Sequence, residues 1–292
     1  MGNDRLSRPT RHLIQNRFQG KHMPVPDLFL QGVARGWQVI DAATLENETT
    51  LEADVIIIGT GAGGGTSAEI LAQNGFKVLL VEEGSLKTSS DFKNDEAKAY
   101  ADLYQEGLAR ATADGGIGIL QGRTVGGTTT VNWTSSFRTP EPTLAHWAKE
   151  HNVKGLDSQS MAPWAVPANA NNDIIRLGCE KLGYHWKVIP RNVRGCWNLG
   201  YCGTGCPTNA KQSMLVTTIP AALEKGATLV HSARAESLVV TGDRVTEVLC
   251  RGMNSTLTAA TGQRLRLRGK HIVLAGGAIN SPALLLRSKA PD

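Results

Sequence analysis

Apolar positions along the chain come in short bursts separated by polar punctuation, and the clearest sequence of bursts spans residues 54–84. Residues 54–58, Asp-Val-Ile-Ile-Ile, are a β-branched run suited to a parallel strand buried on both faces. Ala68, Ile70 and Leu71 then predict a helix that stops at Asn74-Gly75, a pair that tolerates a left-handed turn. Residues 77–81 return to a strand pattern, closing a strand-helix-strand unit. Its first turn carries Gly59, Gly61 and Gly64 as G-x-G-x-x-G, interleaved with Thr60 and Ala62. In such a turn the first glycine permits the bend, the second lets backbone approach a pyrophosphate, and the third lets helix pack on strand. The helix aims its first N–H groups at the phosphates. Glu82 and Glu83 end the second strand, where a carboxylate accepts bonds from a ribose and repels a 2′-phosphate, which disfavours NADP. The unit leaves NAD and FAD equally open.

Residues 24–52 read as a lead-in anchored by Phe29 and Trp37, and residues 85–94 as a polar loop. Ala97, Tyr100, Leu103, Tyr104 and Leu108 recur at helical spacing and predict a helix over 96–110. Residues 115–138 are dense in Gly, Thr and Ser, poor core material and good ligand lining. Asn172-Asp173 predicts the start of a helix bearing Ile174, Ile175 and Leu182 that ends near Gly183. Thr217-Thr218 predicts another, with Pro220 in its first turn and Gly226 closing it. Leu229-Val230 leads into a hairpin of residues 238–240 and 245–249 around Thr-Gly-Asp-Arg. Residues 264–268 form an arm of a second hairpin, and the alternation of Arg264, Arg266 and Arg268 with leucines predicts an edge strand. Residues 271–274 add a buried strand, and Ser281-Pro282 opens a helix with residues 284–286.

With 292 residues, 41% hydrophobic and 20% charged, the chain fits a soluble globular protein of one large or two modest domains. Its apolar runs fall far short of the ~18 residues a membrane span needs, and its N-terminus lacks the apolar region of a secretory signal. The net charge of +5 is concentrated at one end: Arg5, Arg8, Arg11, Arg17 and Lys21 face only Asp4 within residues 1–22. The remainder is nearly neutral and offers no basic groove for nucleic acid. Residues 1–22 read as a disordered basic arm, with Met23 an alternative start. Five cysteines without an export signal predict reduced thiols and a cytoplasmic protein.

Three segments together resemble the glucose-methanol-choline (GMC) flavoprotein oxidoreductases: residues 54–84, Gly-Arg-Thr-Val-Gly-Gly-Thr-Thr-Thr-Val-Asn at 122–132, and Gly-Gly-Ala-Ile-Asn-Ser-Pro-Ala-Leu-Leu-Leu at 276–286. The resemblance implies an α/β fold, a Rossmann-like doubly wound FAD-binding domain formed by residues 23–145 and 225–292. Residues 146–224 would then be an inserted partial substrate region, with a further C-terminal substrate domain beyond the chain. It implies FAD as cofactor, held by Gly59, Thr60, Gly61, Ala62, Gly64, Glu82, Glu83, Val125, Gly126, Gly127, Thr128, Asn132, Trp133, Ser135, Ala235, Ala275 and Gly276. Within that set Gly59, Gly61 and Gly64 receive the pyrophosphate, Glu82 the ribose, Ala235 the adenine, and residues 133–135 pass the isoalloxazine. Relatives oxidise an alcohol CH–OH by hydride transfer to flavin N5, with a histidine as base. No histidine of this sequence occupies that position, so the base is expected beyond Asp292 and the chain to be the FAD-binding part of a longer enzyme. The electron acceptor stays open among oxygen, a quinone and another protein. The alternatives are a catalytically silent flavin-binding fragment and an NAD-dependent dehydrogenase.

Cys196, Cys202 and Cys206 are spaced C-x5-C-x3-C-P in a Gly-rich loop. The trio is similar to cluster-binding cysteines of some membrane-bound sugar dehydrogenases of the same family. A structural loop is the favoured reading over an iron–sulfur cluster, since such clusters usually take four ligands.

Overall fold

The computed structural model describes residues 25–137, 139–154 and 170–289. The arm of residues 1–22 and the start at Met23 lie outside the described residues. In chain order the helices are α1 (Leu28–Ala34), α2 (Ala62–Gln73), α3 (Glu96–Leu103), α4 (Thr128–Val131), α5 (Glu141–His151), α6 (Ala170–Leu182), α7 (Thr218–Glu224) and α8 (Gly277–Arg287). The strands are β1 (Gln38–Asp41), β2 (Thr49–Ile58), β3 (Val78–Val81), β4 (Thr228–His231), β5 (Ala233–Thr241), β6 (Arg244–Gly252) and β7 (Arg264–Leu274).

All seven strands form one sheet in the order β1-β4-β3-β2-β7-β6-β5. Strands β1, β4, β3, β2 and β7 are mutually parallel, whereas β6 and β5 continue antiparallel from β7. The last four residues of β2 and all of β3 are buried, as a parallel strand covered on both faces requires. Their alternation separates two cores. Val55, Ile57, Val78 and Leu80 pack with Ala68 and Ala72 of α2 and Ile219, Ala222 and Leu223 of α7. Ile56, Ile58, Leu79 and Val81 face the other way, against Leu238, Val248, Leu265, Leu267 and Leu284. Helices therefore cover one face, and the curled antiparallel strands with α8 cover the other. Each fully buried aliphatic side chain contributes about 1.5–3 kcal/mol, so the sheet centre is where most of the stability resides.

The lead-in segment is built in. Asp27 caps α1 by accepting from the backbone N–H groups of Phe29 and Leu30, and Phe29 meets Trp37 edge-on at 5.5 Å. Asn74 and Gly75, at φ 84°, end α2 as expected.

Elsewhere non-local contacts override the local pattern. The helix expected over 96–110 stops at Leu103, because Tyr104 pairs with Gly122 and Arg123 N–H donates to Leu103 O. The chain then turns left-handed at Glu106 (φ 48°) and Gly107 (φ 59°). Residues 229–230 belong to β4, a parallel strand between β1 and β3 that precedes the hairpin. Arg264–Leu274 is one continuous strand inside the sheet, which corrects the edge assignment. Its arginines are explained by cross-strand pairing: Glu247 receives Arg266 at 3.2 Å and Arg268 at 2.9 Å, and Glu48 receives Arg266 at 3.0 Å. Helix α8 begins at Gly277 and α6 at Ala170, ahead of the expected starts. Thr217 makes no side-chain cap on α7; its hydroxyl donates to Ser213 O at 2.8 Å.

Candidate functional site

The C-terminal ends of β2, β3 and β7 open into a cleft of about 760 Å³, the position where open parallel sheets bind ligands. The glycine turn forms one wall. Gly59, at φ 101°, leaves no room for a side chain, since a Cβ would lie 2.5 Å from Ala275 O. A Cβ on Gly64 would lie 1.9 Å from Gly59 O, so this glycine lets α2 begin directly against β2. Gly61 is different. A Cβ there would meet nothing nearer than Gly127 Cα at 4.0 Å, so the space above it is the cleft itself.

Glu82 braces this turn from the end of β3. Its Oε2 accepts from Thr60 N–H at 3.1 Å and Thr60 Oγ1 at 2.7 Å, and its Oε1 accepts from Gly84 N–H at 3.0 Å. Thr60 Oγ1 in turn accepts from Gly126 N–H at 3.0 Å, tying the glycine turn to the second Gly-rich segment. Burial pushes the Glu82 carboxyl up to about 7, the bonds from Thr60 and Gly84 oppose the rise, and the neighbouring Glu83 charge adds to it. Three donors on two carboxylate oxygens leave acceptor capacity on Oε1. Glu83 pairs with Arg234 at 2.9 Å on the same wall.

Of the residues the sequence nominates, Gly59, Thr60, Gly61, Ala62, Glu82, Glu83, Gly127, Thr128, Ala235, Ala275 and Gly276 line the cleft. Gly64, Val125 and Gly126 stand behind the wall and support it. Asn132, Trp133 and Ser135 are not brought into the wall. Asn132 O accepts from Lys211, the Trp133 indole lies against Gly203, and Ser135 bridges to Arg191. This stretch turns away from the cleft onto the cysteine loop.

A polar network at the cleft rim has no signal in the sequence. Arg110 Nη1 donates to Gln121 Oε1 at 2.7 Å and Asn280 Oδ1 at 2.9 Å, while its Nε and Nη2 grip the Glu106 carboxylate at 2.6 and 2.8 Å. The Glu106–Arg110 pair is at i,i+4 spacing, but Asn280 comes from 170 residues further along the chain, and no spacing rule links it to them. Among the described residues no histidine lines the cleft.

In the cysteine loop, Cys202 Sγ accepts from Arg191 Nη2 at 2.8 Å, and Cys206 Sγ lies 3.5 Å from Thr208 Oγ1. Burial raises the Cys206 thiol, but hydrogen bonds from Thr208, Lys211 and Ala210 outweigh it and leave the thiol below its ordinary value. Among the described residues no three His, Cys, Asp or Glu side chains gather as metal ligands.

Residues 100–291 match the GMC oxidoreductase family. A long-chain-alcohol oxidase of Arabidopsis thaliana is 30% identical over 261 residues, covering 83% of this chain and 35% of that protein. An uncharacterized GMC-type oxidoreductase of Sinorhizobium fredii is 30% identical over 259 residues, covering 84% of this chain and 51% of that protein. The chain thus spans about a third to a half of the length of these curated relatives. Among solved structures, the formate oxidase of Aspergillus oryzae superposes with a TM-score of 0.51 at 16% identity, over 84% of this chain and 48% of that one, a likeness of fold. With the family matched across most of the sequence and the fold agreeing, the chain belongs to the GMC oxidoreductases.

Proposed function

We propose that the cleft holds FAD and that the enzyme to which these residues belong oxidises the CH–OH group of an alcohol. One observation carries the reading: Gly61 faces the cleft bare at the N-terminal end of α2, beside a buried acidic brace, with Gly127 packed so close that a Cβ there would lie 2.8 Å from Gly61 Cα. A Cβ at Gly61 would enter the cradle with no clash, its nearest neighbour being Gly127 Cα at 4.0 Å. Backbone N–H groups of the glycine turn and α2 would take the pyrophosphate, and Glu82 Oε1 a ribose hydroxyl. Thr128 and the backbone of Ala275 and Gly276 would bound the far wall. The family and the FAD named for the formate oxidase favour this cofactor over NAD.

FAD, when bound, supplies the acceptor for the hydride leaving the alcohol carbon. The chain's own residues bind and orient it, and the low exposure of Thr60 and Glu82 keeps water from the turn. The relatives' names favour a long-chain alcohol as substrate and oxygen as electron acceptor. Helix α7, which the sequence places in an insert of residues 146–224, packs on α2 inside the main core and so goes with the FAD domain.

Titration of the purified chain with FAD, followed by flavin fluorescence, tests the reading. Binding is expected in the wild type, and Gly61→Leu should weaken it at least about tenfold, the cost of one blocked contact surface, with melting unchanged. Equal binding by Gly61→Leu, or binding of NAD in preference to FAD, would reject it.

A further inference from the structure

The cysteine loop lies outside the cleft, yet two buried donors fasten it to the end of α4, whose other end reaches the cleft. Lys211 is only 3% exposed. Its ammonium donates to Thr130 O at 2.9 Å, Asn132 O at 2.6 Å and Cys202 O at 2.7 Å. Tyr104, 1% exposed, donates its hydroxyl to Gly203 O at 2.7 Å and Val131 O at 3.3 Å. The carbonyls that end α4 and those of the Tyr201–Thr204 turn therefore share the same two donors.

Burying an ammonium is costly unless each of its protons finds an acceptor. Here three protons meet three carbonyls, and among the described residues no carboxylate pairs with Lys211. A carbonyl cluster at the end of a helical turn is the environment that favours such a cation. The other end of α4 reaches the cleft. Thr128 is in its wall, with Oγ1 accepting from Gly122 N–H at 3.0 Å. The intervening Thr129 donates to Gly126 O at 2.6 Å and accepts from Met214 N–H at 3.0 Å. A shift of α4 by the loop is thus a shift of Thr128 and Gly127.

We propose that Lys211 and Tyr104 are positioning residues that staple the cysteine loop to α4, and so set Gly127 and Thr128 against the bound cofactor. The loop is then a brace that acts on the cleft through backbone carbonyls. What the cysteine segment contributes to it is the Cys202 carbonyl. The inference rests on the FAD reading of the cleft.

The test compares Lys211→Met and Tyr104→Phe with the wild type in the full 292-residue chain. FAD and ADP affinities and melting temperatures are measured for each. ADP would engage the glycine turn and Glu82, which Thr60 braces directly. Lys211→Met should weaken FAD at least about tenfold and Tyr104→Phe about threefold, in proportion to a charged and a neutral hydrogen bond. ADP affinity should fall clearly less than FAD affinity in either, since ADP also rests on the turn of residues 59–61 and on Glu82, and makes no use of Thr128. Unchanged FAD affinity in both variants would overturn the staple. Parallel losses of FAD, ADP and melting temperature would overturn it too, since a purely structural role predicts them. If Lys211→Met does not fold, Tyr104→Phe decides alone, with a selective FAD loss supporting the proposal and unaltered affinity rejecting it. A wild type that binds ADP but not FAD would instead remove the FAD reading and the staple with it.

Discussion

Glu82 is asked both to sit in the protein interior and to offer a carboxylate to a ligand. Burial raises its carboxyl from 4.5 to about 7, despite three hydrogen bonds that favour the charged form. The folded state therefore holds a proton that the unfolded chain has released across that window. Stability must fall as pH rises from 4.5 to about 7, by about 1.4 kcal/mol for each unit of the shift. Below 4.5 both states are protonated and the contribution is fully present. Glu82→Gln cannot titrate, so its loss of stability over the same window should be smaller. Urea unfolding at a series of pH values would compare the two, and parallel curves would show that Glu82 titrates normally. Residue types and their order made Glu82 legible in the sequence as a strand-ending acid. Its bonds to Thr60 were not, because only the folded turn brings that threonine beneath it.

The unit β2-α2-β3 was readable in advance because everything that defines it is local: a β-branched run, a glycine-spaced turn, a helix stop and a second run. Gly63 and Gly64 show how sharply that local geometry is set. Both are adjacent residues of α2, yet a Cβ on Gly63 would meet nothing within 4 Å while one on Gly64 would strike Gly59 O. Gly63→Ala should raise stability by about 0.5–1 kcal/mol, the helix preference of alanine over glycine. Gly64→Ala should lower it by about 1–3 kcal/mol or more, since backbone cannot yield as a flexible side chain would. Chemical denaturation of both variants checks the pair, and an equally stable Gly64→Ala would contradict the packing of α2 on β2. Elements whose partners lie far away in sequence escape such local reading. Strand β7 carries alternating arginines that look like an exposed edge, but Glu247 of β6 and Glu48, just ahead of β2, pair with Arg266 and Arg268. The break after Leu103 is caused by residues 121–123, which outcompete a helical pattern that is otherwise continuous.

Across the whole molecule, stability is concentrated in the two cores on either side of β2, β3 and β7, and it thins toward the insert. Helix α5 buries no side chain, and α6 leaves Ile174 71% and Ile175 65% exposed. A helix with so few buried contacts opens without the rest of the sheet, whereas β2 and β3 release their amides only when the molecule unfolds globally. Amide hydrogen exchange should therefore be faster in α5 and α6 than in β2 and β3 by at least about two orders of magnitude, the span between local and global opening. Ligand binding adds its stabilisation to the globally opening amides and to those that touch the ligand. FAD should thus slow exchange at residues 59–63 and 127–129 and throughout the central strands, leaving α5 and α6 unchanged. If α6 were protected as strongly as β2 before any addition, the stability of this molecule would not follow the burial of its elements.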